Sequence, residues 1–196
     1  MDPRDLLTGR VQSGGREPAP AKLRRVQDFV NTVDREHGGD VLDAPQGLAA
    51  WLAHRGLPGG EGRPSSAAVE RALALREALR ALLLANNGGP DDPTAREVLA
   101  AAGRRARLAP AFGPEARLVP DAAGVDAGLG YVVADAFVAM VDGSWQRLKA
   151  CPRDACGWAF YDRSTANRGT WCSMRVCGNR VKAGAYYRRR RGPQAG

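Results

Sequence analysis

Sequence features of membrane-spanning and secreted proteins are missing from this chain of 196 residues. No apolar run approaches the roughly 18 to 20 residues that a membrane-spanning helix needs, so we expect no membrane association. The N-terminus also lacks the charged and apolar regions of a signal peptide. These absences predict a protein of the cytoplasm.

Sequence patterns of the common catalytic sites are also missing. The chain has only two histidines, His37 and His54, and both fall at predicted helix ends, where a solvated side chain is the ordinary role. There is no phosphate-binding loop or nucleophile elbow, and Gly128 and Gly130 lack the preceding strand of a dinucleotide-binding turn. The sequence therefore predicts that the protein is not an enzyme, although a catalytic site between the helices stays open as an alternative.

Cysteine is absent from the first 150 residues and then occurs four times, as Cys151, Cys156, Cys172 and Cys177. Two close pairs with this spacing are typical of a tetrahedral zinc site, in which four thiolates saturate the ion and leave no position for a substrate. In a reducing cytoplasm such pairs favour metal over disulfides, which are the alternative for an exported protein. We therefore predict one structural Zn²⁺ ion per chain, bound by these four residues.

Acidic residues are scarce in the same C-terminal region. From Trp145 to Gly196 the chain has 12 Lys and Arg residues against 2 Asp and Glu residues, and no acidic residue follows Cys172. The full chain carries a net charge of +8, so the first 144 residues are close to neutral. A basic region held in place by a metal predicts a polyanionic partner, which is DNA in our interpretation and RNA in the alternative. A solvated basic tail is the simpler alternative.

The side chains best suited to phosphate contact lie near the second cysteine pair and on a helix predicted from Asn179 to Arg191. They are Arg168, Arg175, Arg180, Lys182, Arg188, Arg189, Arg190 and Arg191. For Arg180, an ion pair with Asp162 is the alternative to a phosphate contact. Gly178, directly after the last cysteine, can adopt backbone angles that other residues avoid, which would let backbone amides approach the thiolate.

The first three quarters of the chain have the hydrophobic period of amphipathic helices. The predicted helices run from Lys22 to Glu36, from Pro45 to the stop at Gly56, from Ser66 to Ala85, from Pro93 to Gly103 and from Asp126 to Val141. The last of them is expected to bury Tyr131, Val132, Phe137 and Val141. Residues 107–110 and 117–120 flank a Phe-Gly-Pro turn and predict a small hairpin.

The C-terminal region has a different pattern. Trp158 to Tyr161 alternates like a strand, and Thr170 to Cys172 is expected to return beside it. Two cysteine turns, a hairpin and a terminal helix together predict a treble-clef-like zinc finger. The predicted fold class is mainly α (α+β with small hairpins), in which a multihelical domain precedes the finger. The predicted divisions are a flexible leader (1–20), a helical domain (21–144), the finger with its basic helix (145–191) and a tail (192–196).

Two regions of the sequence resemble known families. Trp171 to Arg180 contains a Cys-Gly-Asn-Arg motif and, together with residues 147–162, strongly resembles the CGNR zinc-finger family of bacterial proteins. Residues 28–33, 45–52 and 75–79 resemble the ABATE domain that precedes this finger. The resemblance implies a transcription regulator, sometimes described as stress-induced, whose helical domain responds to a ligand or a partner.

Two polar residues interrupt the apolar side of the first predicted helix. Asn31 and Thr32, with Trp51 from the second helix, are candidates for lining a pocket for a small-molecule effector. Alternatively, Asn31 and Thr32 satisfy backbone groups inside the protein. Two further functions stay open, namely an RNA- or ribosome-associated protein and a protein-interaction module in which zinc only folds the tail. The sequence identifies neither an effector nor a protein partner.

Overall fold

The computed structural model describes residues 3–9, 12–20, 22–114 and 116–191. Its α-helices are α1 (Pro3–Thr8), α2 (Leu23–Val30), α3 (Pro45–His54), α4 (Ser66–Ala85), α5 (Pro93–Arg105), α6 (Gly124–Asp142) and α7 (Asn179–Arg191). Its antiparallel hairpins are formed by β1 (Leu108–Ala111) with β2 (Arg117–Pro120), and by β3 (Leu148–Ala150) with β4 (Ala159–Tyr161). The described part of the chain is therefore mainly helical with two small hairpins, which confirms the predicted fold class.

The starts of the two central helices follow from local capping. The Ser65 hydroxyl accepts a hydrogen bond from the backbone N–H of Ala68 and begins α4. The Asp92 carboxylate accepts one from Ala95 and begins α5, with Pro93 in the first turn. Both helices and the β1–β2 hairpin lie where the sequence predicts them.

Helix α2 is shorter than predicted, because it ends at Val30 rather than at Glu36. The Thr32 hydroxyl donates a hydrogen bond of 2.9 Å to the carbonyl of Phe29 at the end of the helix. The Asp34 carboxylate accepts hydrogen bonds from the backbone N–H groups two and three residues later. Short polar side chains of this kind compete with the helix for backbone partners. Residues 31–40 consequently form a turn that reverses the chain.

The hydrophobic core is formed by α2 to α6 and extends into the C-terminal hairpin. Phe29 and Trp51 pack edge to face at its centre, with ring centroids 5.0 Å apart. Leu148 on β3 and Tyr161 on β4 belong to the same buried cluster. The hairpin that carries the first cysteine pair is therefore part of the core of the helical domain.

Helix α6 buries its small residues and exposes several large ones. Val132 is buried and Tyr131 is partly buried, but Phe137 and Val141 are 51% and 72% exposed, so the prediction that both are buried is wrong. A Cβ atom at Gly128 would collide with a backbone oxygen of the neighbouring segment. The small side chains let α6 approach its neighbours closely, and the larger side chains consequently face outwards.

Helix α6 is also the one described helix whose length and composition would suit a membrane span. In the folded chain, 56% of its apolar 18-residue window is buried by the rest of the protein. In the sequence, aspartates and glycines interrupt the apolar residues of this helix, so no continuous apolar run of that length is present. Its burial is that of a core helix.

The described residues before α2 pack against the C-terminal module. Leu6 on α1 is 2% exposed and belongs to a second buried cluster that contains Cys151, Trp158, Phe160, Cys172 and Cys177. The Arg16 guanidinium donates hydrogen bonds of 2.7 and 3.0 Å to the carbonyls of Cys172 and Trp171. The described part of the expected leader is thus held by contacts with residues distant in sequence. The expected tail, residues 192–196, lies outside the described residues.

Candidate metal centre and basic face

The four cysteine sulfurs meet at one point. All four Sγ atoms lie within 4.8 Å of one another. The sulfur of Cys172 is 3.6 Å from that of Cys156 and 3.6 Å from that of Cys177. These distances are far longer than the roughly 2.05 Å of a disulfide. They approach the edge of about 3.8 Å that a tetrahedron with Zn–S bonds of about 2.3 Å requires. The four thiols therefore fit a four-coordinate Zn²⁺ ion.

The electrostatics of the cluster also favour a bound cation. Cys151, Cys172 and Cys177 are buried, and Cys156 is partly buried. The hydrogen bond with Cys151 and burial raise the pKa of the Cys156 thiol, because two sulfurs so close together do not both ionise readily. The four thiols cannot all ionise to thiolates in so small a buried volume without a positive charge between them. A divalent ion that binds thiolates supplies this charge.

The first cysteine pair lies in the turn of the β3–β4 hairpin. The backbone N–H of Cys151 donates to the carbonyl of Trp158 at 2.9 Å, which extends the hairpin. The backbone N–H of Cys156 donates to the carbonyl of Arg153 at 2.7 Å, which closes the turn between the two cysteines. The hairpin thus presents both sulfurs on one side of a tight turn.

The second cysteine pair leads into α7. A π-helical turn, Met174–Gly178, contains Cys177 and begins after Ser173, whose hydroxyl caps it by accepting a backbone hydrogen bond. Gly178 lies in the helical turn and is not among the glycines with positive φ, so the structure does not use the conformational freedom that glycine offers there. A Cβ atom there would instead lie 2.5 Å from the sulfur of Met174. A larger residue at this position would therefore require the flexible Met174 side chain to move.

The predicted pairing within the finger differs from the structure. Strand β4 pairs with β3, in the register Leu148 opposite Tyr161, and Thr170–Cys172 forms no strand. The carbonyls of this segment accept hydrogen bonds from side chains instead. Arg16 binds the carbonyls of residues 171 and 172, and Asn87 donates to the carbonyl of Thr170 at 2.7 Å. One cysteine turn in a hairpin and a second cysteine turn at the start of a helix still give the expected treble-clef-like layout.

The candidate pocket residues are buried and bind groups inside the protein. Asn31 forms two hydrogen bonds with the backbone of Ala159 on β4, of 2.7 and 2.9 Å. The Thr32 hydroxyl donates to the carbonyl of Phe29. The ring centroid of Trp51 lies 4.2 Å from the guanidinium carbon of Arg55. None of the three lines a described cavity. Asn31 therefore connects α2 to the finger.

Two further amides connect the end of α4 to the finger. The Asn86 side chain donates hydrogen bonds of 2.9 Å to the carbonyls of Trp145 and Leu148. The Asn87 side chain donates one of 2.8 Å to the carbonyl of Ala150, next to the first cysteine. This role is not apparent from the sequence, because two asparagines before two glycines indicate only the end of a helix.

A buried arginine of α4 binds the first cysteine turn directly. Arg80 is 2% exposed and donates to the carbonyl of Gly157 at 2.5 Å and to that of Val30 at 2.7 Å. Its charge is compensated by Glu77, whose carboxylate lies 3.0 Å from the Arg80 Nε atom. Burial lowers the pKa of Arg80, but a guanidinium stays protonated at neutral pH. Arg80 therefore fixes the position of the finger relative to α2 and α4.

An acidic residue of the helical domain binds the other side of the metal centre. Glu36 forms ion pairs with Arg153 and with Arg180. The Nε atom of Arg153 lies 3.3 Å from the sulfur of Cys177, where a positive charge stabilises a metal-bound thiolate. Arg180 thus pairs with Glu36, whereas Asp162 pairs with the buried Lys149. The alternative prediction of an ion pair between Arg180 and Asp162 is therefore wrong.

The candidate phosphate-binding residues lie on and before α7. Arg175 and Lys182 are exposed beside the second cysteine pair, and Arg180 is exposed although it is paired. Arg168 is exposed in the loop between β4 and Cys172. Arg188, Arg189, Arg190 and Arg191 belong to the last turns of α7, and their side chains lie outside the described part of the structure.

Two protein-family models match this chain in consecutive ranges. Residues 23–144 match the ABATE family, described as "Putative stress-induced transcription regulator". Residues 147–190 match the CGNR zinc finger. The order of the two matches is the one that the sequence resemblance implied. No curated protein matches the chain.

Proposed function

Because the chain belongs to the ABATE family and carries a CGNR zinc finger after that region, we propose that it is a DNA-binding transcription regulator of the bacterial cytoplasm. The observation that carries this proposal is that the chain has no Asp or Glu from Cys172 onwards. This segment contains the second cysteine turn and α7. A fixed cationic helix is a suitable element for contact with nucleic-acid phosphates.

The position of α7 supports a role in binding rather than in solubility alone. The helix has 13 residues and so extends for about 20 Å, at roughly 1.5 Å per residue. Its backbone continues directly from the capped turn that contains Cys177, so the helix begins at the second cysteine pair. Glu36 pairs with Arg180 at the start of the helix, but no Asp or Glu follows in the sequence to neutralise the remaining cations. Phosphates supplied by a duplex would do so and release counterions.

We propose no catalytic role for the metal or for the histidines. Four thiolates occupy every position of a tetrahedral ion, so a substrate has no place to bind it. His37 is 63% exposed on its side chain and pairs with Asp34 at 2.8 Å, and His54 is exposed at the end of α3. These environments suit solvated side chains better than a general base.

The helical domain is proposed to sense a ligand or a partner and to act on the finger. Asn31, Arg80 and Asn87 bind backbone atoms near the first cysteine pair, and Glu36 pairs with side chains of the finger. A small shift of α2 or α4 would therefore move the cysteine turns directly. Such a coupling needs two arrangements of these contacts that differ in their affinity for the effector.

The DNA-binding proposal is tested by the salt dependence of affinity. We expect labelled duplex DNA to bind more weakly as salt increases, with log K falling by about 0.9 for each phosphate contacted. Replacing Arg189 and Arg190 by Gln should weaken binding at least tenfold and reduce the slope by up to about 1.8. The matched control replaces Arg104 and Arg105 on α5, which are exposed, and should leave both quantities unchanged. Fluorescence anisotropy titrations between 50 and 200 mM salt, roughly the range over which such contacts are resolved, provide the measurement.

Three results would contradict the proposal. An equal loss in both double variants would show that total charge, rather than α7, controls binding. A clear preference for structured RNA at equal salt would assign the basic face to RNA. A lack of nucleic-acid binding even at low salt would leave a protein-interaction module folded by zinc.

A further inference from the structure

A cavity of about 530 Å³ lies in the helical domain, away from the residues that the sequence indicated. It is lined by α4, α5, α6 and the β1–β2 hairpin and is open to solvent on one side. Its apolar wall includes Leu82, Leu99, Val133, Phe137 and Met140. Ligand sites in proteins commonly have volumes between roughly 300 and 1,000 Å³ and walls of this composition.

The large apolar side chains at the mouth of the cavity are not covered by the rest of the chain. Phe137 is 51% exposed and Met140 is 40% exposed, although both lie on a helix that is otherwise mostly buried. Methionine is flexible and adapts to the shape of an occupant. An apolar molecule in the cavity would remove both side chains from water, which favours its binding.

The polar groups of the lining limit the charge of an occupant. Asp91 and Arg96 are the acidic and basic residues of the described lining, and they pair with each other through a hydrogen bond of 2.8 Å. Asn86 uses its amide N–H groups on two carbonyls of the finger, so its Oδ1 atom is the part that can bind an occupant. A lining without net charge that offers an acceptor suits an uncharged molecule with a hydrogen-bond donor.

The cavity also borders the start of the finger. Trp145 and Gln146 line it, and they belong to the turn Ser144–Arg147 that leads directly into β3. The same Asn86 side chain that lines the cavity holds the carbonyls of Trp145 and Leu148. An occupant therefore contacts the connection between the helical domain and the first cysteine turn.

We infer that this cavity binds an uncharged, mainly apolar small molecule that carries a hydrogen-bond donor. Its occupancy acts on the finger through Asn86 and the turn Ser144–Arg147. The binding site stands on the cavity alone, whereas the effect on DNA affinity rests on the function proposed above. The two parts are tested by separate measurements.

Binding is tested with N-phenyl-1-naphthylamine, an uncharged aromatic amine with one N–H donor whose fluorescence rises in apolar surroundings. We expect a single saturable site per chain. Ala100 is exposed on α5 and lines the cavity, so Ala100→Trp should weaken binding at least tenfold. Glu97→Trp introduces the same side chain at an exposed position of α5 outside the lining and should leave binding unchanged. Phe137→Asp is a second variant at a half-exposed position and should also weaken binding at least tenfold.

The charge preference is tested with 1-anilinonaphthalene-8-sulfonate, which has the same rings and an added sulfonate. We expect it to bind at least tenfold more weakly, because Arg96 is already paired. Tighter binding of this anion would overturn the inference of an uncharged occupant. No saturable binding of the amine, or equal binding by the wild type and Ala100→Trp, would overturn the site itself.

A dimer interface and a ligand site at this cavity are distinguished by the dependence of probe binding on protein concentration. Loss of probe binding at high protein concentration, with a dimer in sedimentation velocity, would assign the cavity face to a second copy and overturn the inference. We expect instead that probe binding per chain stays constant over this range.

The coupling of the cavity to the finger is tested by the affinity for duplex DNA. Saturation with the amine should change this affinity at least threefold in the wild type and leave it unchanged in Ala100→Trp. An unchanged affinity, in protein that binds both the amine and DNA, would overturn the coupling and leave the DNA-binding proposal intact.

Discussion

Chelation of the metal is expected to unfold the two cysteine turns and α7 while the helical domain stays folded. A structural zinc site contributes on the order of 10 kcal/mol to folding, more than so small a module can lose. The β3–β4 hairpin should remain partly protected, because Leu148 and Tyr161 lie in the main core and Asn31 holds β4. Hydrogen exchange followed by mass spectrometry should therefore show faster exchange in residues 151–158 and 172–191.

The variant Cys172→Ser provides the matched test of the same prediction. It should show this exchange pattern without a chelator, and the chelator should then have no further effect. Ser173→Ala, which removes only the cap of the second turn, should cost about 1 kcal/mol and keep the metal. Unchanged exchange after chelation, or unfolding of the whole chain in a single step, would contradict the prediction.

Replacement of Arg80 by Leu is expected to destabilise the protein by about 3 to 5 kcal/mol, although the residue lies in neither predicted site. The change leaves the carbonyls of Val30 and Gly157 without their donor inside the protein. It also removes one of the cations that neutralise Glu77, although Arg76 still binds that carboxylate. Urea denaturation, with the change in midpoint converted to free energy, measures the effect.

The control for Arg80 lies on the same helix. Arg71 pairs with Asp126, and both side chains are about one-third exposed, so Arg71→Leu should cost less than about 1 kcal/mol. Similar small losses in the two variants would show that Arg80 does not hold the finger in place. A large loss for Arg80→Leu alone, together with faster exchange around Gly157, is the expected result.

The elements that the sequence predicts well are determined by neighbouring residues. Helix α4 has its apolar stripe, its Ser65 cap and its terminating asparagines within one continuous segment, so periodicity and capping locate both ends. The metal ligands are similarly local, because each pair of cysteines lies in one turn. Zinc chemistry then requires both pairs at a single point.

The features that the sequence does not predict depend on residues that are distant along the chain. The contact of Asn31 with Ala159 and that of Arg80 with Gly157 join segments 128 and 77 residues apart. A polar residue on an apolar helix consequently gives the same sequence pattern whether it lines a pocket or forms hydrogen bonds with a strand. Phe137 is exposed for a comparable reason, because the close approach of α6 at Gly128 fixes which face of the helix is buried.

Zinc-edge X-ray absorption of the purified protein, combined with metal analysis, determines whether the four cysteines bind one zinc ion. We expect one zinc ion per chain, surrounded by four sulfur atoms at about 2.3 Å and by no nitrogen or oxygen ligand. A protein that is metal-free with its four cysteines joined in disulfides, or a zinc ion with a nitrogen or oxygen ligand in place of a sulfur, would contradict it.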